Sequence, residues 1–130
     1  MGNKTSMNLE ENVASMLCYI ATWFTGIIFY LVEKENKKVR FHALQSIIIF
    51  LPLTILAPII GWIGAPKPVY STVWGVRVAT GYDSGIFVLQ ALSWLIYVVI
   101  FILWIILMIK AYQGEKFKLP IVGDIAEKHA

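Results

Sequence analysis

Charged side chains divide this chain into three long uncharged windows. No Asp, Glu, Lys or Arg occurs between Glu11 and Glu33, between Arg40 and Lys67, or between Asp83 and Lys110. Inside those windows apolar residues occupy every side of a helical wheel, whereas a helix on the surface of a soluble domain keeps a polar face. A bilayer core of about 30 Å is crossed by roughly 20 helical residues, so each window is long enough to span it. The pattern predicts an all-α integral membrane protein with three transmembrane helices in a small bundle, at about residues 13–32, 41–64 and 86–109. Residues 1–130 then form a single membrane domain, with an external loop at 65–85 and a cytoplasmic interfacial tail at 110–130.

Local signals refine this outline. Asn8 followed by Glu11 has capping-box spacing and opens the first helix. The short connection "EKENKKVR" predicts an antiparallel hairpin of the first two spans. Pro52 and Pro58 each remove a backbone donor, which predicts a kink or local break in the second span. The stretch from Val73 to Val78 is β-rich, with Gly75 inside it and Tyr82-Asp83-Ser84-Gly85 as a turn signal. A short interfacial hairpin and an irregular loop both fit it. After the third span Gly114 marks a helix stop and Pro120 an extended passage. Phe117, Leu119, Ile121, Val122 and Ile125, interleaved with Lys116 and Lys118, read as a segment lying on the membrane surface.

Composition agrees: 58% of residues are hydrophobic and 15% charged, where soluble domains carry about 25% charged residues. The net charge of +3 gathers at the ends of apolar spans, which points to anionic lipid head groups rather than nucleic acid. With three spans the termini fall on opposite sides. One side receives Lys34, Lys37, Lys38, Arg40, Lys110, Lys116, Lys118 and Lys128, the other only Lys4, Lys67 and Arg77. Basic flanks are retained in the cytoplasm, so the amino terminus is expected outside and the carboxyl terminus inside the plasma membrane. Lys34, Lys37, Lys38, Arg40, Lys110, Lys116 and Lys118 are the expected head-group contacts.

Each span also carries a polar or small stripe. His42, Gln45 and Ser46 share one face of the second helix, at spacing i, i+3, i+4. Ser15, Tyr19 and Thr22 line the first, where Ala14, Cys18, Thr22 and Gly26 make a small-residue ladder suited to close helix packing. Gln90, Ser93 and Tyr97 share a face of the third. These three faces are expected to converge, with Gln90 and Ser93 level with Ser15 and Tyr19, and His42 and Gln45 level with Thr25 and Tyr30. As interhelical glue such groups are worth about 0.6–2 kcal/mol each. The functional alternative is a polar cavity open to the cytoplasm, with His42 as proton acceptor or substrate contact.

Catalytic chemistry has little to build on. Between Glu35 and Glu115 the sole acid is Asp83, the second histidine is His129 in the tail, and Cys18 is the single cysteine. No metal, cofactor or enzymatic activity is expected.

Phe41-His42-Ala43-Leu44-Gln45-Ser46 and the stretch from Gly114 through Lys128 carry a family resemblance that extends over about Leu9 to Lys128. The chain resembles small prokaryotic membrane proteins classed with the twenty-kilodalton Tic subunit of the chloroplast inner-envelope import translocon. That resemblance implies a helical membrane component of a protein-import complex, with four spans in the plastid members. The expected role is therefore a non-enzymatic scaffold or subunit, working as a homo-oligomer or within a larger complex. A small oligomeric transporter or channel lined by the second helix is the alternative.

Overall fold

The computed structural model describes residues 5, 6 and 9–130. Their order is α1 (Glu11–Ile20), α2 (Trp23–Val32), α3 (Lys37–Gly64), β1 (Pro68–Val73), β2 (Val76–Tyr82), α4 (Phe87–Tyr112) and α5 (Val122–His129). The expected Asn8 cap and Lys4 lie outside the described residues. Two helices, α3 and α4, are long and apolar enough to cross a membrane. They run antiparallel: Ser93 Oγ donates to the Ala57 carbonyl at 2.8 Å, Gln90 Nε2 to the Gly61 carbonyl at 2.8 Å, and Lys38 Nζ, at the opposite end, to the Gly114 carbonyl.

The first apolar window departs from expectation. It forms not one spanning helix but two of ten residues each, broken at Ala21–Thr22. Thr22 has φ 52°, a left-handed conformation that a β-branched residue adopts only under constraint. Several bonds supply that constraint. The Thr22 amide donates to the Tyr19 carbonyl (3.0 Å), the Thr25 hydroxyl to Cys18 O (3.3 Å), and the Ser46 hydroxyl to Thr22 O (2.6 Å). Backbone groups freed inside hydrocarbon need such partners.

Contacts along the two arms give their direction. Glu11 meets Asn36 and Lys38, Cys18 reaches the Val39 carbonyl, and Tyr19 reaches His42. Beyond the break Thr22 meets Ser46, Gly26 rests on Ala43, and the Tyr30 and Glu33 carbonyls come back to Arg40. Thus α1 runs parallel to α3 and α2 antiparallel to it, in a helical hairpin that enters and leaves at one end. At 1.5 Å per residue each arm is about 15 Å long, half the thickness of a bilayer core. The predicted first span, residues 13–32, does not form as a single crossing helix, and the predicted placement of the termini at opposite ends is corrected with it. Ser6, Glu33 and Gly114 all sit at the Lys38 end. Absence of charge sets what can enter lipid; it does not set whether the segment emerges on the far side.

Two further details bear on the prediction. The all-α class needs amending, because residues 68–82 form a two-stranded antiparallel sheet, and of the two options left open the hairpin is the one adopted. Its turn residues Trp74 and Gly75 have φ 53° and 79°, the paired positive values of a tight hairpin turn. The helix α3 runs unbroken through Pro52 and Pro58. Both prolines lie on its exposed side, and the Thr54 hydroxyl donates to the Phe50 carbonyl at 2.7 Å.

The core gathers in the half of the bundle that holds the hairpin: Ala14, Cys18, Tyr19, Val39, Ala43, Phe50, Leu107 and Ala111 are buried together. The other half consists of α3 and α4 alone, joined closely where they meet the sheet. There the Ile86 amide bonds the Gly64 carbonyl at 2.9 Å. Gly85, with φ 68°, passes so near that a Cβ would stand 2.5 Å from that same oxygen.

Candidate functional site

Three polar side chains meet inside the hairpin half. Tyr19 Oη lies 2.8 Å from His42 Nδ1 and receives a bond from Gln45 Nε2 at 3.1 Å. All three are buried. Spacing dictates this: His42 and Gln45 are three residues apart on α3, so one side chain from α1 can touch both. The carboxyl-terminal tail completes the set. Gln45 Nε2 also donates to Phe117 O at 2.9 Å, and the Leu119 amide donates to Gln45 Oε1 at 3.1 Å. One amide thus pairs with two tail backbone groups as a neighbouring β-strand would. Trp104 from α4 donates its indole N–H to the Tyr19 carbonyl at 2.8 Å, close to the Ala21–Thr22 break.

A charged layer closes the same end. The Glu33 carboxylate accepts from the Ser6 hydroxyl (2.6 Å) and amide (2.8 Å) and from the amides of Glu35 and Asn36 (both 3.0 Å). Burial alone would raise its pKa, but these donors outweigh burial and hold it at about 2. Asn36 accepts from the Lys38 and Val39 amides and so caps α3, while its own amide bonds Glu11 at 2.7 Å. Arg40 donates to the Tyr30 carbonyl (3.0 Å) and the Glu33 carbonyl (2.7 Å), satisfying the C-terminal turn of α2, and lies 4.3 Å from the Tyr30 ring centre. In the tail Lys118 bonds Glu127 and Asp124, which raise its pKa; Lys118 and Lys116 in turn bring Glu127 down to about 2.

Of the expected convergent face, Tyr19, His42 and Gln45 come together, with Ser15 buried on the same stripe of α1. Ser46 is turned to the hairpin tip, and Thr22 contributes its carbonyl rather than its hydroxyl. Gln90 and Ser93 do not join them. Both bond carbonyls of α3 at the far end, so the expected level match with Ser15 and Tyr19 fails because α1 turns back before reaching them. Tyr97 faces outward against Trp94. The ladder residues Ala14, Cys18 and Gly26 are all buried, but on two separate helices. A Cβ on Gly26 would stand 2.8 Å from the Ala43 carbonyl oxygen.

Among the head-group candidates Lys34 and Lys37 are exposed. Lys38, Arg40, Lys110, Lys116 and Lys118 have partners within the chain, Lys110 with Glu115 at 3.1 Å and Lys116 with Glu127 at 3.0 Å. The structural roles of Glu11, Glu33, Asn36 and Trp104 carry no sequence signal of their own except at Asn36, whose position just before a helix is a capping cue. Among the described residues no three His, Cys, Asp or Glu side chains gather as a metal site would require.

Comparison with known proteins gives the family of this chain. A UPF0132 membrane protein of Methanocaldococcus jannaschii is 44% identical over 127 residues, 98% of this chain and 94% of its own length. A second from the same organism is 38% identical over 130 residues, covering 95% of this chain and 73% of itself. A UPF0132 membrane protein of Archaeoglobus fulgidus is 38% identical over 120 residues, 92% of this chain and 95% of its own. No solved structure matches. A family model described as the magnetosome magnetite crystal formation protein family matches residues 9–126. The chain is accordingly a membrane protein that belongs to this family, alongside the archaeal UPF0132 membrane proteins.

Proposed function

We propose that the protein is a multi-pass plasma-membrane protein that acts by association, as a non-enzymatic scaffold or subunit of a membrane complex. Supporting this is the division of the bundle. The hairpin half is packed and internally bonded, whereas α3 and α4 leave the hairpin half as an isolated pair with Ile55, Ile59, Trp94, Tyr97, Val98 and Phe101 bare. Helices pair in lipid through such faces, and a second copy or another membrane protein is the partner. The basic residues on the Lys38 end put that end in the cytoplasm, with Lys34 and Lys37 against anionic head groups. Relation to the import-translocon subunit would make the complex one that moves proteins. The matched family is described by magnetite crystal formation; here Glu11, Glu33, Asp124 and Glu127 are engaged within the chain, which favours a structural part in any such assembly over direct contact with iron.

Purification in mild detergent followed by mass measurement tests the proposal. Dimers, higher oligomers or a reproducible co-purifying membrane protein are expected; a bare monomer at all protein-to-detergent ratios would refute it. The transporter or channel reading draws on one observation, the buried and mutually bonded polar cluster Tyr19–His42–Gln45 between α1 and α3. Reconstituted flux that falls with His42→Ala and Gln45→Ala would favour it.

A further inference from the structure

Burial is divided unevenly along α3. Nine of its 28 residues are buried, and all of them except Ala57 and Gly64 lie before Leu51. The hairpin of α1 and α2 causes the difference, since Ala14, Cys18 and Tyr19 pack with Val39, Ala43 and Phe50 of α3 and with Leu107 and Ala111 of α4. Its tip is shallow. The Ser46 hydroxyl bonds Thr22 O, and Ser46 stands about 14 Å along α3 from Lys37 at 1.5 Å per residue. The whole 28-residue helix runs to about 42 Å on the same rise.

The outer side of the hairpin is built for acyl chains. Phe24, Ile28, Leu31 and Val32 are exposed there, and no charged side chain stands between Glu11 and Glu33. A helix with its side chains is about 10–12 Å across. In the half of the bilayer at the Lys38 end four helices therefore stand side by side, while in the other half α3 and α4 stand alone. The cross-section roughly doubles from one leaflet to the other. The tail adds to the wide end, where it is bonded to Gln45 and leaves Ile121 and Ile125 exposed. At the narrow end β1 and β2 begin only after α3 has finished at Gly64, so they add no width inside the hydrocarbon.

We propose that the protein is a tapered insert that binds selectively to curved bilayers, with the leaflet at its Lys38 end convex. In a bent bilayer the convex leaflet offers more area at hydrocarbon depth than the concave one. A chain with four helices in that leaflet and two in the other fits the bend. In a flat bilayer the acyl chains beyond the hairpin tip must instead splay to fill the space over it. Shallow apolar inserts in one leaflet are sensitive to curvature for this reason. The inference rests on the depth of the hairpin and not on the scaffold reading. Pairing through Trp94, Tyr97 or Phe101 joins two chains at their narrow ends and adds to the same bend.

The test uses the full chain in phosphatidylcholine vesicles, formed by detergent removal at low protein-to-lipid ratio and then sorted by diameter. A zwitterionic lipid keeps head-group charge out of the comparison, and dilution keeps copies apart. Glu10→Cys, Gln113→Cys and Ser71→Cys, each in a Cys18→Ala background, report orientation through an impermeant thiol reagent added outside; all three positions are exposed. The labelled fraction of Gln113→Cys and of Glu10→Cys is expected to rise as diameter falls, from an even split in the largest vesicles to nearly all in the smallest. Ser71→Cys should fall in step. A fraction for Gln113→Cys that ignores diameter, or that drops in the smallest vesicles, would overturn the proposal. So would Glu10→Cys that follows Ser71→Cys, since the first arm would then cross the bilayer and the taper would not exist.

Discussion

At the scale of single residues, Glu33 offers the sharpest consequence. Its pKa of about 2 lies below the ordinary carboxylate value of about 4.3 expected when the chain is unfolded. A depressed acid stabilises the folded state above the unfolded value, and this contribution disappears as pH falls through the folded one. The thermal midpoint in detergent should therefore drop between about pH 4.3 and pH 2, with a shallower slope in Glu33→Gln. Equal slopes for the two proteins would show that the carboxylate is not held by Ser6, Glu35 and Asn36. Gly26 makes a second case. Since its Cβ would stand 2.8 Å from the Ala43 carbonyl and 3.1 Å from Ile47, even Gly26→Ala must push α2 from α3. Overpacking of this kind costs about 1–3 kcal/mol, readable as a lowered unfolding midpoint in mixed micelles. The sequence marks Gly26 as a small packing residue, but its neighbours are visible only once the chain has turned at Thr22.

At the scale of elements, the best-predicted parts are those whose cause is local. Gly114, with φ 81°, ends α4 as its lack of a Cβ allows, and the β-rich stretch around Gly75 folds into a hairpin. The α1–α2 break has no proline or glycine at Ala21 or Thr22 to announce it. The Thr25 hydroxyl bridges the Ala21 amide and the Cys18 carbonyl, and other helices add the Ser46 hydroxyl on Thr22 O and the Trp104 indole on Tyr19 O. The sequence sets the tail apart from α4 at Gly114, yet its anchor on Gln45 is not visible there, because the bonds go to the backbone of Phe117 and Leu119. This anchor makes a prediction. In Gln45→Leu the tail loses both bonds, and trypsin should cut after Lys116 and Lys118 several-fold faster than in the parent, with α3 and α4 left intact. Unchanged cleavage would mean that Leu119 and the buried Gly123 and Ala126 of α5 hold the tail without the amide.

Across the whole molecule, the reversal at Thr22 changes how the charges are arranged about the bilayer. Three spans would put Glu10 across the membrane from Lys38, whereas a half-depth hairpin returns the first arm to the side from which it started. Lys34, Lys37, Lys38, Arg40, Lys110, Lys116, Lys118 and Lys128 then share one end with Glu10 and Glu11, and Lys67, Arg77 and Asp83 lie at the other. The basic bias remains strong with Ser6 and Gly114 at the same end of the bundle. Single cysteines placed at Glu10, Glu35, Gln113 and Ser71 in a Cys18→Ala background separate the two arrangements. In sealed vesicles a membrane-impermeant thiol reagent should reach positions 10, 35 and 113 from one side and position 71 only from the other. Three full spans would instead group position 10 with position 71. The hairpin also limits where partners can bind, since it covers α3 and α4 at one end, while Ile55, Ile59, Trp94, Tyr97 and Phe101 stay exposed beyond it. Crosslinks between copies should therefore form through Trp94, Tyr97 or Phe101 and not through Ala14, Cys18 or Tyr19 of α1, which are buried against α3 and α4.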